Sequence, residues 1–195
     1  MQQINDIKQY ARQNSVPIMK DDGMEFICRY ITENNVKSIL EIGTAIGYSS
    51  IRFAKLADDI FVSTVEIDID RYNQALRNIT DNNLSDRITV YLADAATLEF
   101  DEKFDMIFID GPKAQYIHFF EKFKSNLASG GAIISDNLSF HGMVEDLTLT
   151  HNYSTKKLVK KIRKYIQFLK ENQEFHTDFY DVGDRVAVST KIIQQ

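Results

Sequence analysis

Residues 37–50, "KSILEIGTAIGYSS", decide the fold. Ile39, Leu40 and Ile42 make a short apolar run that stops at Gly43. Gly47 follows, and "GYSSIRFAKLA" then carries apolar residues at helical spacing. A buried strand, a glycine turn and a helix in direct succession open a parallel α/β unit. The glycines let the backbone turn tightly and approach a ligand at a helix N-terminus. Their spacing, G-x-x-x-G, is not the dinucleotide G-x-G-x-x-G, and taken alone it fits a plain tight turn equally well.

Outward from this unit the alternation continues. "IFVSTVEI", "RITVYLAD", "FDMIFIDG" and "GGAIISDN" read as strands, and "DIDRYNQALRNITDNN" and "AQYIHFFEKFKSNLA" as helices. Two further helices precede the first strand. Near-continuous apolar strands in this rhythm indicate a parallel sheet covered by helices on both faces. The tail departs from it. A long helix over residues 154–171 precedes "EFHTDFYDV" and "RVAVSTKII", joined around Gly183-Asp184, which predicts an antiparallel hairpin. The expectation is one α/β domain over residues 1–195, with a mostly parallel sheet.

The bulk numbers bound the function. A chain of 195 residues suffices for one domain with a full core. The opening "MQQINDIKQYARQN" is polar and does not read as a signal peptide, and no apolar run approaches membrane-spanning length. Cys28, the only cysteine, excludes an intrachain disulfide and reads as a small apolar residue on a buried helix face. A cytoplasmic protein is expected. The net charge of -5 argues against a generally basic nucleic-acid binder, but not against a local basic patch.

The acids at the strand ends carry the chemistry. Glu66 ends the second strand, placed to accept the hydroxyls of a ribose, although Asp68 and Asp70 beside it serve as ordinary helix-start acids. Asp94 ends the third strand and can reach a base edge or cap its own turn. Asp110 ends the fourth strand and runs into Gly111, Pro112 and Lys113; Asp136 and Asn137 end the fifth. An ionised carboxylate at the end of a buried strand is costly unless compensated. Two carboxylates and an amide, all hard oxygen donors, suit Mg²⁺ or Mn²⁺. Neither His118 nor His141 has zinc-ligand spacing; His118 reads as packing or solvent-facing, and His141 as a candidate for the substrate opening.

Taken together, "EIGTAIGYSS", "VEID", "ADA", "FIDGPKAQY", "ISDN" and "GDRVAVSTK" resemble the divalent-metal- and S-adenosylmethionine-dependent O-methyltransferases of the catechol and caffeoyl-CoA type, over roughly residues 17–192. The resemblance implies a Rossmann-like class I methyltransferase with a seven-stranded sheet. It implies Glu41, Gly43 and Ser49 around the methionine part of the cofactor, Glu66 on the ribose, and Asp94 with Ala95 beside the adenine. Met19 would cover the cofactor and Asp110 would border it. Asp110, Asp136 and Asn137 match the family's metal ligands, and Lys113 the lysine beside the reacting oxygen. A divalent ion lowers the pKa of a hydroxyl it binds and fixes its direction of attack. Lys113 would take the proton if its own pKa is depressed, or stabilise the oxyanion if charged.

Within the family, "FIDGPKAQY" and the short C-terminal half look most like a bacterial branch that methylates 5-hydroxyuridine at the wobble position of transfer RNA. Gly111-Pro112 stand where the animal catechol enzymes have bulky residues, which points to a more open site. The expected partner is therefore transfer RNA at its anticodon region, with a small catechol-like vicinal diol as the alternative. A binding or regulatory domain without chemistry is disfavoured by the intact set Asp110, Lys113, Asp136 and Asn137. Lys156, Lys157, Lys160, Lys161, Arg163 and Lys164 fall on one helix with no acid among them, while Leu158, Ile162, Tyr165, Ile166 and Leu169 would face the core. Such cations meet phosphates or simply solvate a helix face. The resemblance also implies a homodimer.

Overall fold

The computed structural model describes residues 2–192. Seven strands form one sheet in the order β3-β2-β1-β4-β5-β7-β6. They are β1 (Ser38–Ile42), β2 (Phe61–Glu66), β3 (Ile88–Leu92), β4 (Phe104–Ile109), β5 (Leu127–Ser135), β6 (Phe175–Tyr180) and β7 (Val186–Lys191). The first five pair in parallel. β7 runs antiparallel to both β5 and β6, as the tail of the sequence predicts. The helices are α1 (Gln2–Gln13), α2 (Asp21–Glu33), α3 (Tyr48–Ala54), α4 (Ile69–Asp81), α5 (Tyr116–Phe123) and α6 (Tyr153–Glu171). Among the described residues no helix is long and apolar enough to cross a membrane.

Strand parity sorts the core into two layers, because successive side chains point to opposite faces. Ile39, Met106, Phe108 and Ile134 pack with α1 to α4. Leu40, Ile107, Ile109 and Ile133 pack with α5 and α6. On that second face Phe120 meets Phe168 and Phe175 edge-on, with ring centroids 5.3 and 5.0 Å apart. The helix starts are set locally. Asp68 caps α4 by accepting from the N–H groups of Asp70 and Arg71, and Asn152 caps α6 by accepting from Thr155 N–H.

Two boundaries differ from the sequence reading. β5 begins at Leu127 rather than at Gly130, because Leu127 already pairs with Phe104 before the register shifts. Gly131 is required at that shift, since a Cβ there would lie 2.6 Å from the Asp105 carbonyl oxygen. In α6, Val159 is fully buried and Leu158 only partly so, which rotates the core-facing stripe by one residue at its N-terminal end.

The start of β1 depends on one carboxylate. Asp105 Oδ2 accepts from the backbone N–H groups of Lys37 and Ser38, both at 2.9 Å, and Ser38 Oγ accepts from Asp105 N–H at 3.0 Å. Asp105→Ala leaves two partly buried donors unmatched, at a cost of about 1–3 kcal/mol. Thermal unfolding should show the melting temperature lowered by several degrees, while Asp105→Asn, which keeps one acceptor, should fall between the two.

Candidate active site

The C-terminal ends of the parallel strands open onto a cavity of about 480 Å³. Its near wall is the glycine turn after β1. Gly43 has φ +106°, and a Cβ there would stand 2.7 Å from the Asp110 carbonyl oxygen, so only glycine permits β1 and β4 to end side by side. Glu66, at the end of β2, is fixed by three backbone donors: Ala45 N–H at 2.8 Å, Ile67 N–H at 3.0 Å and Asp68 N–H at 2.9 Å. The carboxylate thereby also holds the turn, in which Ala45 adopts φ +47°. Asp94 is exposed, and its Oδ1 accepts from Ala96 N–H at 2.8 Å. Gly43, Glu66, Asp94 and Ala95 all line the cavity, as does Met19, in the segment between α1 and α2.

Glu41 and Ser49 do not line it. Glu41 is fully buried, with its carboxyl bonded by the hydroxyls of Ser49, Ser50 and Thr64. Its position in β1 explains this: Leu40 and Ile42 face α5 and α6, so Glu41 points to the opposite face, beneath α3. Burial pushes its carboxyl up to about 7, against the lowering effect of the three hydroxyls. Both residues brace the glycine turn from behind, one layer beneath the cavity wall in which the resemblance expects the methionine part of a cofactor.

At the far wall Asp110, Lys113 and Asn137 line the cavity. Lys113 Nζ donates to Asp110 Oδ1 at 3.1 Å and stands 5.6 Å from the Tyr116 ring centroid. Burial raises the Asp110 pKa and the Lys113 ammonium opposes it. Asp136 lies just beneath, 1% exposed, with Oδ1 buried and unpartnered among the described residues. Burial and then the Asp110 charge push its carboxyl up. Tyr116, whose hydroxyl donates to the Asp136 carbonyl at 3.2 Å, is held neutral by burial and by both aspartates. Asn137 sits at φ +62°, a conformation that asparagine tolerates better than most residues.

This donor set fits a divalent cation chemically. Two mutually repelling carboxylates, one with an orphaned oxygen, and a neighbouring amide are matched by a hard positive ion. Among the described residues no group of three or more His, Cys, Asp or Glu side chains has metal-holding spacing, so the set depends on Asn137 as its third member.

Lys20, Arg71, Phe140 and Asp184 are among the cavity residues that the sequence does not single out as site candidates. Arg71 follows the cap of α4, and Phe140 and Asp184 sit in loops whose course only the fold reveals. His141 lines the cavity mouth, whereas His118 is exposed on α5. Cys28 is buried, as expected.

Residues 1–192 match the family model for O-methyltransferases. The chain belongs to the O-methyltransferase family. Its fold superposes with a TM-score of 0.93 on a caffeoyl-CoA O-methyltransferase candidate from Staphylococcus aureus, at 36% identity over 96% of this chain and 91% of that one. An O-methyltransferase of Bacillus cereus in complex with SAH superposes with a TM-score of 0.82, at 26% identity over 98% of this chain and 91% of that one. A caffeoyl-CoA O-methyltransferase of Populus kitakamiensis is 27% identical over 145 residues, 70% of this chain. The match spans 61% of that curated relative's length.

The buried Glu41 generates a pH prediction. Its folded pKa of about 7 lies above the ordinary carboxyl value of 4.5, so the folded state binds the extra proton. Stability from this group is therefore complete below pH 4.5 and falls as pH rises toward 7, by about 3 kcal/mol in all. Glu41→Gln removes the titration while keeping partners for the three hydroxyls. Melting curves between pH 5 and 8 should show the variant losing less stability than the parent.

Proposed function

We propose that the protein is an S-adenosylmethionine-dependent O-methyltransferase whose acceptor is 5-hydroxyuridine in transfer RNA. The observation that carries the methyl-transfer reading is the convergence of Glu66, Asp94, Asp110 and Lys113 on one cavity, with Lys113 3.1 Å from Asp110. Family membership and the SAH-bound relative support the cofactor.

In this reading Glu66, already oriented by three backbone amides, accepts from the ribose hydroxyls of the cofactor. Met19 and the segment around it exclude water from the sulfonium. Asp110, Asp136 and Asn137 would hold a Mg²⁺ or Mn²⁺ ion, which lowers the pKa of a hydroxyl and orients it. Lys113 stands at the reacting oxygen, where its ammonium stabilises the developing oxyanion.

The RNA acceptor rests on α6. Lys157, Lys160, Lys161 and Lys164 are exposed there, and the helix packs beside the turn at Lys113–Gln115 that carries the catalytic lysine. Two of the six cations differ from these four, Arg163 being exposed but committed to a backbone carbonyl. Arg163 donates from Nε and Nη2 to the Val144 carbonyl, at 2.8 and 2.6 Å, and Lys156 is half-buried. A small vicinal diol is the second reading, favoured by the apolar faces of Pro112, Phe119 and Phe140 in the cavity wall, which suit a planar ring. A homodimer is likewise proposed only from family resemblance.

Two experiments test this. Methyl transfer to hypomodified total transfer RNA should be abolished by EDTA and restored by Mg²⁺ or Mn²⁺; full activity in EDTA rejects the metal. Reversing Lys157, Lys161 and Lys164 to Glu should weaken transfer RNA binding at least tenfold and flatten its salt dependence, leaving cofactor affinity unchanged. Unaltered RNA methylation by that variant, or activity on catechol alone, favours the small diol.

A further inference from the structure

Tyr153, the first residue of α6, is 72% exposed, more than any other large apolar side chain among the described residues. Lys157, one helical turn further on, holds its Nζ over the ring, 4.8 Å from the centroid. Leu149, itself 58% exposed, precedes Tyr153 by four residues at the end of a single turn, Leu147–Leu149. A lone exposed apolar residue needs no explanation. An exposed ring with an ammonium over it, at the head of a helix studded with lysine, calls for one.

The fold places this end of α6 near the cavity. β7 is antiparallel to β5, and β6 is antiparallel to β7, so β6 starts at the sheet edge away from the cavity. α6 leads into β6 and therefore descends from the cavity edge. Tyr165 marks the level of the strand ends, because its hydroxyl lies 2.7 Å from Oγ of Ser135, the last residue of β5. Tyr153 comes twelve residues earlier, about 18 Å along the helix axis at a rise of 1.5 Å per residue. It stands past the strand ends. Leu149 lies on the way: its Cδ1 is 3.4 Å from where a Cβ on Gly142 would be, and Gly142 follows Phe140 and His141 of the cavity wall. Exposed apolar groups thus step from the cavity mouth to Leu149 and on to Tyr153.

The free charge beside this track is positive. Lys157, Lys160, Lys161 and Lys164 are exposed on α6, whose only acid is Glu171 at its far end. The acids of the preceding loop are occupied: Glu145 accepts from Ser139 and Arg185, and Asp146 from Thr148. Lysines alone would suit any polyanion. The ring narrows the choice, since a flat base stacks on an aromatic face while its phosphates lie along the cations.

Resting on the transfer RNA reading, we propose that Tyr153 is a base-stacking platform for a nucleotide that flanks the one in the cavity. Its height above the strand ends keeps it away from the reacting ring, so a free nucleoside or a small diol gains nothing from it. A single-stranded loop, whose unpaired bases splay out, reaches both places.

The test compares wild type with Tyr153→Ala, Tyr153→Phe and Lys161→Ala, each saturated with S-adenosylhomocysteine and Mg²⁺. Labelled hypomodified transfer RNA is titrated by fluorescence anisotropy at several salt concentrations. Tyr153→Ala should bind about 5- to 100-fold more weakly, with the slope of log affinity against log salt unchanged, because stacking neutralises no phosphate. Lys161→Ala should instead flatten that slope. Tyr153→Phe keeps the ring and should bind as wild type does. Affinity for S-adenosylhomocysteine and the melting temperature should not move in either Tyr153 variant. Transfer RNA binding by Tyr153→Ala equal to wild type overturns the platform and leaves the RNA reading standing. If Tyr153→Phe is as weak as Tyr153→Ala, the hydroxyl is responsible and stacking is rejected. If Tyr153→Ala binds RNA normally but sediments differently, the ring belongs to a contact between copies of this chain, which also rejects the platform. Wild type that binds no transfer RNA overturns the RNA reading and the platform together.

Discussion

The crowding of carboxylates along one edge of the sheet is the constraint on which the rest of the site depends. Glu66, Glu41, Asp110, Asp136 and Asp184 come from five adjacent strand ends, and each must be compensated in a partly desolvated place. The protein compensates them unequally. Glu41 receives three hydroxyls, and Glu66 three backbone amides. Asp110 receives one ammonium, while Asp136 and Asp184 each keep a buried oxygen without a donor. Satisfaction therefore falls from the β1–β2 side to the β5–β7 side. The turn that would cradle the cofactor is complete without it, whereas the other end is electrostatically unfinished and invites positive charge and hydrogen-bond donors.

Much of this was legible in the sequence because a single acid ending an apolar run is a simple signal. Gly43, Glu66, Asp94, Asp110 and Asn137 each follow from a strand that stops, and the structure brings all five to one cavity. The motif alone does not reveal on which face of β1 Glu41 lies. Parity within β1 sends it the opposite way from Leu40 and Ile42, into the layer beneath α3. Asp184 was passed over because "GD" between two strands reads as an ordinary hairpin turn, and only the reversed direction of β7 carries it to the binding edge. Arg163 looked like one more cation of a basic helix. No local pattern announces the Val144 carbonyl that takes both of its donors.

The hairpin turn at residues 181–185 has a second consequence, for motion. Lys20 donates to the Gly183 carbonyl, and Asp22 accepts from Gly183 N–H, so the segment that carries Met19 is tied to this turn. The tie is close: a Cβ on Gly183 would stand 3.0 Å from the Gly23 Cα. The loop after β5 hangs from the same turn through Leu138, Ser139 and His141. The N-terminal segment and the loop after β5, which both line the cavity, thus share one anchor.

A shared anchor couples the two ends energetically. Opening the N-terminal segment gives up the contacts of Lys20, Asp22 and Gly23 to the turn, and those contacts also set where Asp184 points. A ligand that seats Met19 and its neighbours therefore stabilises the turn, and with it the left-handed residues Phe140 and His141 at the mouth. Any such coupling is reciprocal, since a ligand held by the loop after β5 would favour the same arrangement of the N-terminal segment. Phe140 and His141, both left-handed, sit where the loop after β5 meets that turn. The finished half of the rim is in this sense the template on which the unfinished half is completed.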